Sequence, residues 1–164
     1  MTEQTSGNAP KVAALLASKG WRITFAESCT GGLAAAALVD IPSASSVFDA
    51  SFVTYANDAK IRFLGVDPLA IAQEGVVSET VAAQMAAGAA KQANAQVGVG
   101  ISGIAGPTGG TDKKPVGMVC FGFYIDGKTV AITKQFGNIG RNEVRQASVK
   151  FVYDTLAELL TCVF

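Results

Sequence analysis

WRITFAESCTGGLAAAALVDI, residues 21–41, changes character twice within its length. Trp21 to Ala26 is a short run rich in β-formers, and Glu27 to Gly32 is a polar turn closed by two glycines. From Leu33 the alanine-rich stretch has high helix propensity up to the break at Pro42. A strand, a glycine turn and a helix in immediate succession point to an α/β fold, and the rest of the chain repeats the theme.

Upstream, PKVAALLASKG at residues 10–20 spaces its apolar side chains as an amphipathic helix stopped by Gly20. Downstream, Ser51 to Ala56 reads as a second strand, residues 57–65 as a short helix ended by Gly65, and the segment around Pro68 as a loop. Ser78 stands where it caps a long alanine-rich helix over residues 78–95. Gln96 to Ser102 is a strand that runs into GIAGPTGGTDKKP at residues 103–115, whose glycines and prolines exclude regular structure. Val116 to Ile125 and Thr129 to Phe136 form two strands joined by the hairpin signal Asp126-Gly127, and a last helix runs from about Arg141 to Leu160. The expected architecture is a single three-layer α/β/α domain with a mixed sheet over residues 10–164, preceded by a flexible tail at residues 1–9.

Composition narrows the function. The chain has 164 residues, of which 49% are hydrophobic and 16% charged, enough for one domain with a sizeable core. Thirteen basic and thirteen acidic residues cancel, and no basic run occurs, which argues against nucleic acid or an anionic membrane as partner. The polar N-terminus lacks the apolar core of a signal peptide, and the scattered cysteines fit a reducing cytoplasm, where the protein is expected. With no histidine, every Ser-His or Cys-His arrangement is excluded and the commonest metal ligand is missing. Cys29, Cys120 and Cys162 are scattered and odd in number, so neither a disulfide framework nor a metal site is expected.

The turn at Glu27 to Gly32 exposes backbone amides at a helix start, a setting for a nucleophile beside its own oxyanion site. Locally, Ser28 or Thr30 serves equally well as a mere helix cap. A serine needs a base, and without histidine the choice falls on a lysine made neutral by burial, for which Lys60 is the candidate, with Tyr55 near enough in sequence to relay or orient a proton. On composition alone Lys60 reads more readily as a solvated helix lysine. Cys29 is a competing nucleophile should the helix N-terminus lower its pKa. The second glycine loop offers amides and hydroxyls from Ser102, Gly103, Gly106, Thr108, Gly109 and Gly110 to a phosphate or carbonyl. Gly98, Gly100 and Gly103 spell GxGxxG but lie inside a strand, which removes a dinucleotide-binding reading. Arg141 and Arg145, one helical turn apart, could grip a phosphate jointly or stand solvated beside Glu143.

AESCTGG at 26–32, FVTYANDAK at 52–60, GISGIAGPTGGT at 100–111 with KPVG at 114–117, and the late Arg141 together resemble one family, the C-terminal domain of the competence/damage-inducible protein CinA. The resemblance spans nearly the whole chain in order. It implies a three-layer α/β fold and, as in stand-alone bacterial members, a serine amidohydrolase that turns nicotinamide mononucleotide into nicotinate mononucleotide and ammonia, without metal or cofactor. Carried over by motif, Ser28 is the nucleophile, Lys60 its base and Tyr55 the tyrosine of the catalytic set. Amides near Thr30, Gly31 and Gly32 then hold the oxyanion, and the second glycine loop with Arg141 and Arg145 holds the pyridine nucleotide. A homo-oligomer is expected. One departure stands at Gly137 to Arg141, where many relatives read Gly-Asp-Arg. The rival class is a non-catalytic nucleotide-binding or regulatory module linked to competence or DNA damage. A thiol enzyme using Cys29 is a third reading.

Overall fold

In the computed structural model, which describes residues 7–162, the strand expected at 21–26 forms as β1, Ile23–Glu27, with all five residues buried. A strand buried on both faces needs cover on both. β1 pairs in parallel with β2 (Phe52–Val53) on one side and β3 (Val97–Gly103) on the other. β3 then pairs antiparallel with β4 (Met118–Ile125), and β4 antiparallel with β5 (Lys128–Gln135), so the mixed sheet runs β2-β1-β3-β4-β5. Helices α1 (Ala9–Lys19), α2 (Leu33–Val39) and α6 (Arg141–Cys162) cover one face, where Leu16, Leu38, Tyr153 and Leu156 pack on Phe25, Val99 and Phe121. Helices α3 (Asn57–Leu64), α4 (Pro68–Glu74) and α5 (Glu79–Ala93) cover the other, with Leu64, Ala70 and Met85 around Ala26. The result is the three-layer α/β/α domain expected from the sequence.

Small residues set how closely the layers approach. Gly100 and Gly122 face each other across β3 and β4, and a Cβ on either would lie 2.1 or 2.2 Å from the Ala82 carbonyl oxygen of α5. Only glycine lets the helix backbone rest this near the sheet. The apparent GxGxxG is therefore a packing feature.

Three segments differ from expectation. The Pro68 loop is helix α4, started by Asp67, whose Oδ1 accepts from the Leu69 amide at 2.9 Å, with Pro68 at the first helical position. β2 is two residues long instead of six: after Val53 only the Thr54 amide still bonds to β1, at the Glu27 carbonyl, because the next carbonyls turn toward a lysine. Asn8 and Ala9, expected in the tail, are held in place, since Asn8 Nδ2 donates to Asp154 Oδ1 at 2.8 Å and Ala9 is buried; residues 1–6 lie outside the described residues.

Candidate active site

β1 ends at Glu27 and delivers Ser28 to the carboxyl edge of the sheet, where the Ser28 amide donates to the Ile101 carbonyl of β3 at 3.1 Å. This is where open α/β sheets place ligands. Lys60, on α3, is fully buried and sends its Nζ to 3.1 Å from Ser28 Oγ, 2.6 Å from the Thr54 carbonyl and 3.3 Å from the Tyr55 carbonyl. None of the three partners carries a charge. Burial without a counter-ion pushes the Lys60 pKa from 10.5 down to about 8. A neutral amine has two N–H donors and one lone pair. With the two carbonyls taking the donors, the lone pair is left for the serine hydroxyl proton.

The turn is braced from behind by Glu27, which is fully buried. Its carboxylate accepts from the amides of Gly32 (3.1 Å), Ala34 (3.0 Å) and Ala35 (2.9 Å), satisfying the first turn of α2. Glu27→Ala leaves all three amide donors without their acceptor at once. At about 1–3 kcal/mol for each buried donor left unpaired, the variant is expected to lose more than about 3 kcal/mol of stability, read as a lower urea midpoint, and Glu27→Gln, which keeps one carbonyl, to lose less. An equal midpoint for Glu27→Ala and wild type would contradict this role.

The same contacts revise two expectations. With Gly31 N donating to the Ser28 carbonyl (3.0 Å), Gly32 N to Glu27, and Leu33 N to the Thr30 carbonyl (3.2 Å), the amides of Gly31 and Gly32 are not open to an oxyanion. The Cys29 amide faces its own thiol, and the Thr30 amide makes no backbone hydrogen bond among the described residues. The helix N-terminus does not activate Cys29 either. Burial pushes its thiol up to about 11, and the Glu27 carboxylate adds to the rise.

Arg145 and Arg141 do not act as a pair. Arg145 turns back onto the Ser28 turn, donating from Nε to the Cys29 carbonyl (2.9 Å) and from Nη2 to the Thr30 carbonyl (3.2 Å). Arg141 reaches the other way, from Nη1 to the Gly106 carbonyl (2.8 Å) and from Nη2 to the Tyr55 hydroxyl (3.1 Å). Tyr55 is corrected likewise. Successive side chains of an extended segment point to opposite sides. Thr54 is therefore buried while the Tyr55 ring is 64% exposed, and it is the Tyr55 backbone, not its phenol, that meets Lys60.

Beside this pair lies a cleft of about 450 Å³ lined by Tyr55, Arg141, Gly103, Gly106, Thr108 and Gly109, together with Thr111, Lys114 and the Gly75 to Val77 loop. Two expected ligands are absent from it. The Ser102 hydroxyl is buried and donates to the Val76 carbonyl at 2.8 Å, tying β3 to the loop before α5, and Gly110 packs against Val116. Sequence reasoning passed over Glu27 and Lys114. An acidic residue between a buried strand and a glycine turn is the available signal for the first, and the KPVG motif for the second. Among the described residues no group of three His, Cys, Asp or Glu is placed to hold a metal ion, and no helix is long and apolar enough to cross a membrane.

Residues 6–160 match the family model described as the CinA C-terminal domain. The chain belongs to the CinA C-terminal domain family. Among curated relatives, an Enterobacter agglomerans protein named nicotinamide-nucleotide amidohydrolase PncC is 47% identical over 152 residues, covering 92% of each chain. A CinA-like protein of Kosmotoga olearia is 44% identical over 89% of this chain, which spans only 35% of that longer relative. The crystal structure of competence/damage inducible protein CihA from Agrobacterium tumefaciens superposes with a TM-score of 0.93 at 39% identity, covering 97% of both chains. CinA-family membership accounts for the order of the motifs and for the fold.

Proposed function

We propose that this chain is a serine amidohydrolase that converts nicotinamide mononucleotide and water to nicotinate mononucleotide and ammonia. The observation that carries the reading is the buried Lys60 amine, 3.1 Å from Ser28 Oγ with no charged partner. The name of the 47% identical relative supplies the substrate class. In the forward step, neutral Lys60 takes the Ser28 proton as Oγ attacks the carboxamide carbon, and the Thr30 amide is the donor of the turn left for the developing oxyanion. The Lys60 ammonium then protonates the departing nitrogen, releasing ammonia and leaving an acyl-serine. Water, deprotonated by the same amine, hydrolyses that ester. The glycine loop and Arg141 hold the nucleotide beside the pair.

The test is ammonia release from nicotinamide mononucleotide, nicotinamide riboside, nicotinamide and the dinucleotide, with acyl-enzyme trapping by mass spectrometry. The mononucleotide is expected to be the best substrate and free nicotinamide a poor one, because binding energy from a remote phosphate can be used to position the amide. Tight binding of the mononucleotide with no ammonia from any compound would favour the binding-module reading instead.

A further inference from the structure

The cleft holds a second cation that the arginine pairing did not include. Lys114, on the loop between β3 and β4, extends its ammonium to the loop before α5 and donates to the carbonyls of Glu74 and Val77, the latter at 2.6 Å. Gly75 leaves room for this approach, since a Cβ there would stand 2.9 Å from Lys114 Nζ, and its φ of +80° disfavours any other residue. Two of the three ammonium donors are thus fixed on neutral acceptors, and the third is left at the cleft that Lys114 lines. Arg141 is held in the same manner, on the Gly106 carbonyl and the Tyr55 hydroxyl. Neither cation meets a carboxylate. The ion pairs among the described residues are Arg22–Asp49 and Lys150–Asp154.

Two cations, each oriented by neutral groups and neither neutralised, line one cleft with the hydroxyls of Thr108 and Thr111. A doubly charged phosphomonoester matches that arrangement, whereas a neutral sugar gives the charges nothing to pair with. Tyr55 joins this cleft to the reacting pair, with its carbonyl on Lys60 and its phenol on Arg141. We propose that Lys114 and Arg141 together form the subsite for the 5′-phosphate of the substrate, with Lys114 as the specificity-determining cation and Gly75 as the residue that admits it. The assignment rests on the nucleotide reading above for the identity of the phosphate's carrier, but the anion site can be probed without it.

Calorimetric titration with ribose 5-phosphate and with inorganic phosphate is to be run on wild type, Lys114→Gln and Lys114→Arg, alongside kcat/KM for the mononucleotide and the riboside. One charge-assisted hydrogen bond corresponds to about a 10- to 100-fold change in affinity. Lys114→Gln is expected to lose that factor for ribose 5-phosphate and to lower the mononucleotide-to-riboside ratio of kcat/KM by about the same factor, with Lys114→Arg restoring most of it. Equal ribose 5-phosphate affinity in wild type and Lys114→Gln, or an equal loss on both substrates, would overturn the proposal and leave Lys114 as a loop clamp. Should Lys114→Gln not fold, Lys114→Met, which keeps the length of the side chain and drops its charge, must weaken ribose 5-phosphate binding, and unchanged binding there is equally fatal. Wild type that releases ammonia yet binds no ribose 5-phosphate overturns this subsite alone. Wild type that binds ribose 5-phosphate and releases no ammonia overturns the amidohydrolase and leaves the subsite standing.

Discussion

Ser28→Ala is expected to reduce ammonia release by about 10⁴-fold or more, the scale on which removal of a serine nucleophile acts in hydrolases that form an acyl-enzyme. The substitution deletes one half-buried hydroxyl whose contact is Lys60 Nζ, so melting temperature and mononucleotide binding should stay close to wild type. Cys29→Ala is the informative contrast, because its sulfur neighbours the same turn. With its thiol pushed up to about 11, only about one molecule in 10⁴ carries a thiolate at pH 7, so loss of the sulfur should cost little beyond packing. Steady-state rates and the acyl adduct seen by mass spectrometry check both variants. A dead Cys29→Ala beside an active Ser28→Ala would reverse the assignment of the nucleophile.

The layered fold was readable because its strongest signals are local. The glycine turn after β1, the Ser78 cap of α5, whose Oγ accepts from the Val81 amide at 3.3 Å, and the Asp126-Gly127 hairpin each form from residues adjacent in sequence. Helix α4 was hidden because Pro68 reads as a breaker unless Asp67 is recognised as its cap. The full burial of Lys60 could not be read from its neighbours Asp58 and Arg62, which are exposed; it depends on α3 lying against the end of β1, a contact between residues 32 positions apart. The arginine pair failed for a similar reason. Helical spacing brings Arg141 and Arg145 to one side of α6, but two separate loops, at Gly106 and at Cys29 to Thr30, draw them apart.

The dependence on pH follows from Lys60. Its folded-state pKa of about 8 lies below the 10.5 of an exposed lysine, so the neutral amine that the proposed mechanism requires grows tenfold per pH unit up to about 8 and then levels off. The rate should follow that curve. Lys60→Arg keeps a charge that cannot be removed and is expected to lose about 10²- to 10⁴-fold at every pH, while Lys60→Met, which fits the apolar pocket without a charge, serves as the folded control. Stability must move with the same proton. Between pH 8 and 10.5 the unfolded lysine holds a proton that the folded one has given up, so wild-type stability rises with pH across that window. The rise is about 3 kcal/mol at 1.36 kcal/mol per pKa unit, present as a destabilisation below pH 8 and gone above 10.5. Urea unfolding at intervals across the window should show this slope in wild type and its absence in Lys60→Met. Parallel stability curves for the two proteins would mean that the buried amine keeps an ordinary pKa, and a rate that is flat from pH 6 to 8 would mean that Ser28 draws on another base.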